Sequence, residues 1–166
     1  MNRSLTAARS ALLMIGSARY NETLKGNREK QTMKIDGRCH CGAITYEAEV
    51  DPENASICHC TDCQQLSGTV FRTSIRALPD QFRILTGEPK VYVKVGDSGG
   101  RRAQAFCANC GSPIYATAAE GNAPFNIRVG TVRQRDQLVP KVQIWTRSEQ
   151  QWLPGLGAIR KVEKQA

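Results

Sequence analysis

Seven cysteines, gathered into three short clusters, constrain this 166-residue chain more than any other feature. The clusters are Cys39-His40-Cys41, Cys58-His59-Cys60-Thr61-Asp62-Cys63 and Cys107-Ala108-Asn109-Cys110, and no cysteine lies outside them. An odd count fits a complete disulfide framework poorly. Spacings of C-x-C and C-x-x-C place two sulfurs within reach of one ion, whereas disulfides join more distant segments. Metal binding by reduced thiols is therefore expected. With no secretory signal in the sequence, the cytoplasm is the expected compartment.

A structural zinc takes four protein ligands, and a catalytic zinc takes three plus an exchangeable position. Seven thiols divide naturally on that basis. Cys39/Cys41 and Cys107/Cys110 are two-ligand clips, each followed by a glycine, Gly42 and Gly111. A glycine there permits the tight turn that brings backbone amides up to the sulfurs. Two such clips, drawn from opposite ends of the domain, would join the first strand to a late hairpin. Cys58, Cys60 and Cys63 then remain for a second ion with one open position. Three other arrangements stay open: a closed Cys3His site completed by His59 or His40, a single shared cluster, and iron–sulfur ligation. Against the first, an extended C-H-C puts its two thiols on one side and His59 on the other.

Three thiolates around zinc leave a formal charge of −1, which blunts Lewis acidity and suits the ion to a soft ligand. A substrate thiol entering the open position would be deprotonated and ready to attack a carbonyl carbon. Nearby cations would help hold that charge. Arg72, Arg76, Arg101 and Arg102 are candidates by proximity, each set against the plainer reading of a solvent-facing strand residue. Asp62 reads either as a proton acceptor or as an exposed turn acid. Trp145 and Trp152 read as pocket lining or as core and rim packing.

The rest of the chain reads as short strands. Ile44, Tyr46, Ala48 and Val50 alternate on one face until Asp51-Pro52 breaks the pattern. Phe71, Thr73 and Ile75 share a face, Phe82 and Ile84 follow, and Val91, Val93 and Val95 alternate up to the turn Gly96–Gly100. Strands also lead into and out of the last cysteine pair, and further alternation runs through Phe125, Ile127 and Val129 and through Val142 and Ile144. Gln64–Gly68 reads as one helical turn closed by its glycine. Strand signals at this spacing predict a small all-β domain of short antiparallel strands stabilised by zinc.

The net charge of +8 is split evenly. Residues 1–32 carry six basic residues against Glu22 and Glu29, and the other 134 carry 17 against 13. A scattered excess of this kind predicts a mildly basic surface, and no nucleic-acid partner is expected. No apolar run approaches the roughly 20 residues that span a bilayer, so no membrane partner is expected either. Residues 1–32 read as a basic N-terminal extension, disordered or dispensable, with an Arg- and Ser-rich leader or a basic binding arm as the competing readings. The zinc-binding domain is expected over 33–155, followed by a tail over 156–166.

Three segments in order carry a family resemblance: Gly37-Arg38-Cys39-His40-Cys41-Gly42, then Cys58-His59-Cys60-Thr61-Asp62-Cys63 with Ser67-Gly68, then Phe106-Cys107-Ala108-Asn109-Cys110-Gly111-Ser112-Pro113. Together they resemble the glutathione-dependent formaldehyde-activating enzymes, a family that also includes centromere protein V. The likeness runs from about Met33 to Trp152. It implies an Mss4-like β fold with two zinc ions. Carried over by residue, Cys39, Cys41, Cys107 and Cys110 would hold the structural ion, and Cys58, Cys60 and Cys63 the catalytic one. The implied activity is that of a carbon–sulfur lyase acting on a glutathione-like thiol and an aldehyde such as formaldehyde, forming or cleaving an S-hydroxymethyl adduct. The alternative is a non-catalytic zinc-binding interaction module.

Overall fold

The fold was taken from a computed structural model, which describes residues 32–96 and 98–165. The expectations for the N-terminal extension lie outside the described residues. Among those described, ten strands and one short α-helix form a mostly β domain in two sheets. The smaller sheet holds β1 (Met33–Arg38), β2 (Thr45–Val50) and β5 (Phe82–Thr86) in the order β1-β2-β5. The larger comprises β3 (Ser56–Cys58), β4 (Arg72–Ala77), β6 (Lys90–Val95), β7 (Arg101–Phe106), β8 (Pro113–Ala118), β9 (Phe125–Arg128) and β10 (Val142–Ile144). Its order is β10-β3-β4-β9-β8-β7-β6. Helix α1 (Thr61–Ser67) follows β3.

Alternation in β2 does what the sequence predicts: Tyr46, Ala48 and Val50 are buried, as is Ile44 just before the strand. They meet Ile75, Ala77 and Ile127 of the larger sheet in one core. Phe82 centres an aromatic group there, its ring centroid 5.7 Å from Tyr46, 5.2 Å from Tyr115 and 4.6 Å from Phe125. Centroids at these separations fall in the range where edge-to-face and offset pairs add to simple area burial.

Three local expectations need adjusting. The helix begins at Thr61 rather than Gln64, because Cys60 acts as its N-cap and accepts the amide of Cys63 at 3.4 Å. Gly68 ends it in the left-handed conformation, as the sequence implies. Second, one strand pair is parallel: β10 lies beside β3, Val142 opposite Ser56 and Ile144 opposite Cys58. The chain returns to that edge over Leu138, which is buried. Third, the alternating Val91, Val93 and Val95 sit on edge strand β6 and stay exposed. Their neighbours Ala103 and Ala105 on β7 are buried, so the core ends one strand short of the sheet edge.

Gly37 shows how closely the two ends of the domain meet. A Cβ at this position would lie 2.2 Å from the Tyr46 ring and 2.6 Å from the Thr131 carbonyl oxygen. Tyr46 is fully buried and its hydroxyl bonds Thr131 Oγ1 at 2.8 Å, so neither neighbour can yield. Gly37→Ala is therefore expected to destabilise the domain by about 1–3 kcal/mol, the usual range for overpacking. A urea midpoint equal to that of the wild type would contradict this packing.

Candidate metal centres and the adjoining pocket

Two groups of cysteines converge. Cys39 and Cys41 lie in the β1–β2 connection and Cys107 and Cys110 in the β7–β8 connection, one hairpin from each sheet. Their four sulfurs all lie within 4.8 Å of one another. Cys39 and Cys41 Sγ are 3.5 Å apart, and Cys41 and Cys107 Sγ are 3.7 Å apart. Tetrahedral zinc with Zn–S bonds of about 2.3 Å needs sulfurs about 3.8 Å apart, and these two pairs lie near that spacing. Both knuckles turn on left-handed glycines, Gly42 at φ 79° and Gly111 at φ 73°. That turn lets the Ile44 amide donate to Cys39 Sγ at 3.2 Å. Ser112 joins the knuckles by accepting the His40 amide at 3.0 Å, with its hydroxyl 3.2 Å from Cys110 Sγ. That hydroxyl is the leading cause of a Cys110 thiol drawn down to about 5, which favours the thiolate a metal needs.

Cys58, Cys60 and Cys63 form the second group, again within 4.8 Å of one another. Cys58 ends β3, Cys60 caps α1 and Cys63 sits in its first turn. The hydrogen bond with Cys63 holds the Cys58 thiol down at about 5, and the same bond with burial pushes Cys63 up. No histidine or carboxylate among the described residues joins either group. His59 points to the other side, buried, with Nε2 2.8 Å from Gln143 Oε1 and its ring edge-on to Phe71. His40 is exposed. The Cys3His arrangement through either histidine is thus absent from the geometry.

The three-thiol group opens onto a pocket of about 410 Å³ on the face of the larger sheet. Its floor is Arg72 and Ser74 of β4, Gln104 of β7, Ala116 of β8, and Asn126 and Arg128 of β9. Its walls come from α1, from the β6–β7 turn and from the segment Ile144–Ser148. Of the four arginines raised by the sequence, Arg72 and Arg102 line this pocket. Arg76 faces solvent, and exposed Arg101 pairs with Glu120. Asp62 forms an ion pair with Lys94 that links α1 to β6 across the pocket mouth. Trp145 lines the pocket; Trp152 does not, and is exposed.

Several pocket residues escape a reading of the sequence. Arg128, Ser74, Gln104 and Asn126 occupy alternate strand positions that look solvent-facing, yet Arg72, Ser74 and Arg128 are buried. The wall that covers them is held by Gln64, whose Nε2 donates to the carbonyls of His59 at 2.7 Å and Ser148 at 2.9 Å. Within that wall Trp145 adopts φ 60°, a left-handed conformation rare for a bulky residue. Such strain persists where surrounding structure over-determines it. Here the His59 amide fixes the Ile144 carbonyl at 3.0 Å, and the Arg147 guanidinium covers the Trp145 ring at 4.6 Å.

The family model described as glutathione-dependent formaldehyde-activating enzyme matches residues 34–148, which include all seven cysteines. A Schizosaccharomyces pombe protein named as an uncharacterized lyase is 26% identical over 100 residues. That match covers 57% of this chain and 65% of the relative, so it spans just under two thirds of the relative's length. A crystal structure of a Rhodobacter sphaeroides protein, 19% identical, superposes with a TM-score of 0.51 over 65% of this chain and 98% of that one. It shares the fold.

The two thiol groups are expected to answer differently to substitution. Cys107→Ser removes one of the four thiols that would hold an ion between the two sheets, and binding energy at such a site is folding energy. Loss of one zinc per chain and a collapse of the thermal transition are expected. Cys60→Ser is expected to lose the second ion while keeping a folded chain. Metal analysis and thermal unfolding of both variants check this, and equal unfolding by the two would contradict the assignment.

Proposed function

The chain belongs to the glutathione-dependent formaldehyde-activating enzyme family, and from that premise we propose that it is a zinc-dependent carbon–sulfur lyase. It joins a small glutathione-like thiol to an aldehyde, forming or cleaving an S-hydroxymethyl adduct. One observation carries this reading: three thiols converge at a pocket large enough for a small molecule, with no fourth metal ligand beside them among the described residues. A four-ligand knuckle is closed; a three-ligand one keeps a position for substrate.

Cys58, Cys60 and Cys63 would hold that ion, and Cys39, Cys41, Cys107 and Cys110 the structural one. What the zinc of the three-thiol site supplies when bound is a lowered pKa for an incoming thiol. The chain's own residues do the rest. Arg72 stands directly across the strand pair from Cys58, so its positive charge faces the negative charge that gathers there. Ile144 and Trp145 give an apolar wall that limits water around the reacting carbon. The Asp62–Lys94 pair fixes the first turn of α1, and with it Cys60 and Cys63, against the rest of the sheet.

The bond changes balance without an oxidant or reductant. A sulfur lone pair forms the C–S bond, the carbonyl π pair moves onto oxygen, and that oxygen takes up the proton the thiol gave up. Cleavage is the same step reversed.

The test is adduct formation from thiol and formaldehyde, followed by NMR with purified full chain against a protein-free control. Acceleration over the spontaneous reaction is expected, reduced roughly 100-fold or more by Cys60→Ser. No acceleration with glutathione or any other cellular thiol would sink the proposal.

A further inference from the structure

Arg72 and Arg128 are the most unusual groups in the pocket. They are 5% and 7% exposed, and neither forms an ion pair with a carboxylate among the described residues. Their partners are neutral. Arg128 Nη1 donates to Ser74 Oγ at 2.8 Å and Nη2 to Gln104 Oε1 at 2.9 Å. Arg72 Nη1 donates to the same Gln104 oxygen at 3.2 Å. The buried Nε of each arginine has no hydrogen-bond partner. One amide oxygen thus steers two like charges together without cancelling either.

Buried guanidinium groups are normally matched by carboxylates, since an unpaired buried charge is costly. A structural ion pair would put Glu or Asp where this chain has Gln104. The amide aligns both forks and leaves their charge for something else. The three thiols are one claimant. Three thiolates on a divalent ion leave −1, and Arg72, opposite Cys58, faces that charge. Arg128 lies one strand further in, opposite Ser74. Among the described residues the pocket lining also holds Arg102 and Lys94, with one acid, Asp62, which already pairs with Lys94. Positive charge therefore remains on the floor after the thiol site is accounted for.

We propose that Arg128 and Arg72, bridged by Gln104, form a carboxylate-binding subsite, and that the thiol this chain accepts carries a carboxylate. The inference rests on the lyase reading and narrows its substrate to mercapto-carboxylates, selected over neutral and cationic thiols. The geometry suits such a molecule. Cys58, Arg72 and Arg128 occupy one face of three adjacent strands, so sulfur and carboxylate are received side by side. Small Ala116 on the neighbouring strand leaves the floor open above the arginine pair.

The experiment compares three thiols of similar length with formaldehyde and the zinc-loaded full chain: 3-mercaptopropionate, 2-mercaptoethanol and cysteamine. Each catalysed rate is divided by its own spontaneous rate. A preference of about tenfold or more for 3-mercaptopropionate is expected, because a site built around hydrogen bonds rejects ligands that leave them unmade. It should persist at about 0.5 M salt, where steering by a diffuse field is screened. Gln104→Glu supplies an internal carboxylate, so this variant should fold and lose the preference. Arg128→Lys, which keeps the charge but not the fork, should weaken it. In parallel, propionate is titrated into both proteins and followed by tryptophan fluorescence, with saturable binding expected for the wild type and not for Gln104→Glu.

Equal acceleration of all three thiols would overturn the subsite and leave the lyase reading standing. Propionate binding that survives Gln104→Glu would overturn it as well. No acceleration of any thiol would refute the lyase reading. The titration would then decide the subsite alone: binding abolished by Gln104→Glu supports it, and no binding to the wild type overturns it.

Discussion

The convergence of Cys39, Cys41, Cys107 and Cys110 is the constraint on which the rest of this domain depends. It is the point where the β1–β2 hairpin of one sheet and the β7–β8 hairpin of the other are tied together, across 66 residues of chain between Cys41 and Cys107. Long closures are costly in chain entropy, and a small β core repays them only in part. A metal-filled four-thiol site offsets that cost directly, since the unfolded chain has no such site to fill. Its effect reaches the pocket as well. Gln104 lies on β7 three residues before Cys107, and Ala116 lies on β8 six after Cys110. Fixing the knuckle fixes two of the four strands that supply the pocket floor.

The three-thiol site is positioned by different means. Cys58 ends a strand held on both sides, by β4 antiparallel and by β10 in parallel. Cys60 and Cys63 are placed by the start of α1, where Cys60 Sγ serves as cap. The parallel partner matters because it carries the chain directly into Trp145 and the pocket wall. Gln64 then binds that wall back onto the helix through Ser148, and Gln150 Nε2 reaches Gln64 Oε1 at 3.3 Å. Thiols and wall are therefore one assembly, and the strained backbone of Trp145 is held within it.

Much of this was legible in the sequence, and the limit has a physical cause. Thiol grouping could be read because short spacings leave few ways to share an ion, and glycines at 42 and 111 announce tight knuckles. The all-β class followed from alternation, most clearly at Tyr46, Ala48 and Val50. What alternation cannot reveal is a sheet covered on both faces. Residues 72 to 77 read as one apolar face and one polar face, and a polar face is ordinarily given to solvent. Here Ile75 and Ala77 meet the core while Arg72 and Ser74 are buried under the pocket wall. The wall comes from residues 144–148, some 70 positions away, and nothing local to β4 signals it. The reverse error occurs at Val91, Val93 and Val95, where a clean apolar alternation lies beyond the reach of the smaller sheet.

The larger sheet thus carries its apolar core on one side and, on the other, two buried arginines that meet no carboxylate among the described residues. Burial pulls Arg128 down to about 9, with repulsion from Arg72 as the next cause. Burial lowers Arg72 too, while Cys63, Cys60 and Cys58 oppose the fall. Cys63 and Cys58 raise Arg128 as well, but there they rank behind repulsion from Arg72, whereas at Arg72 the thiols are the only opposing charges. An acid in place of Gln104 would cancel one of the two charges. The amide leaves both charges in place, at the desolvation cost of burying them, and keeps the pocket more strongly positive. That cost is tolerable because the apolar face of the same strands and the four-thiol tie hold the sheet in shape without help from the pocket side.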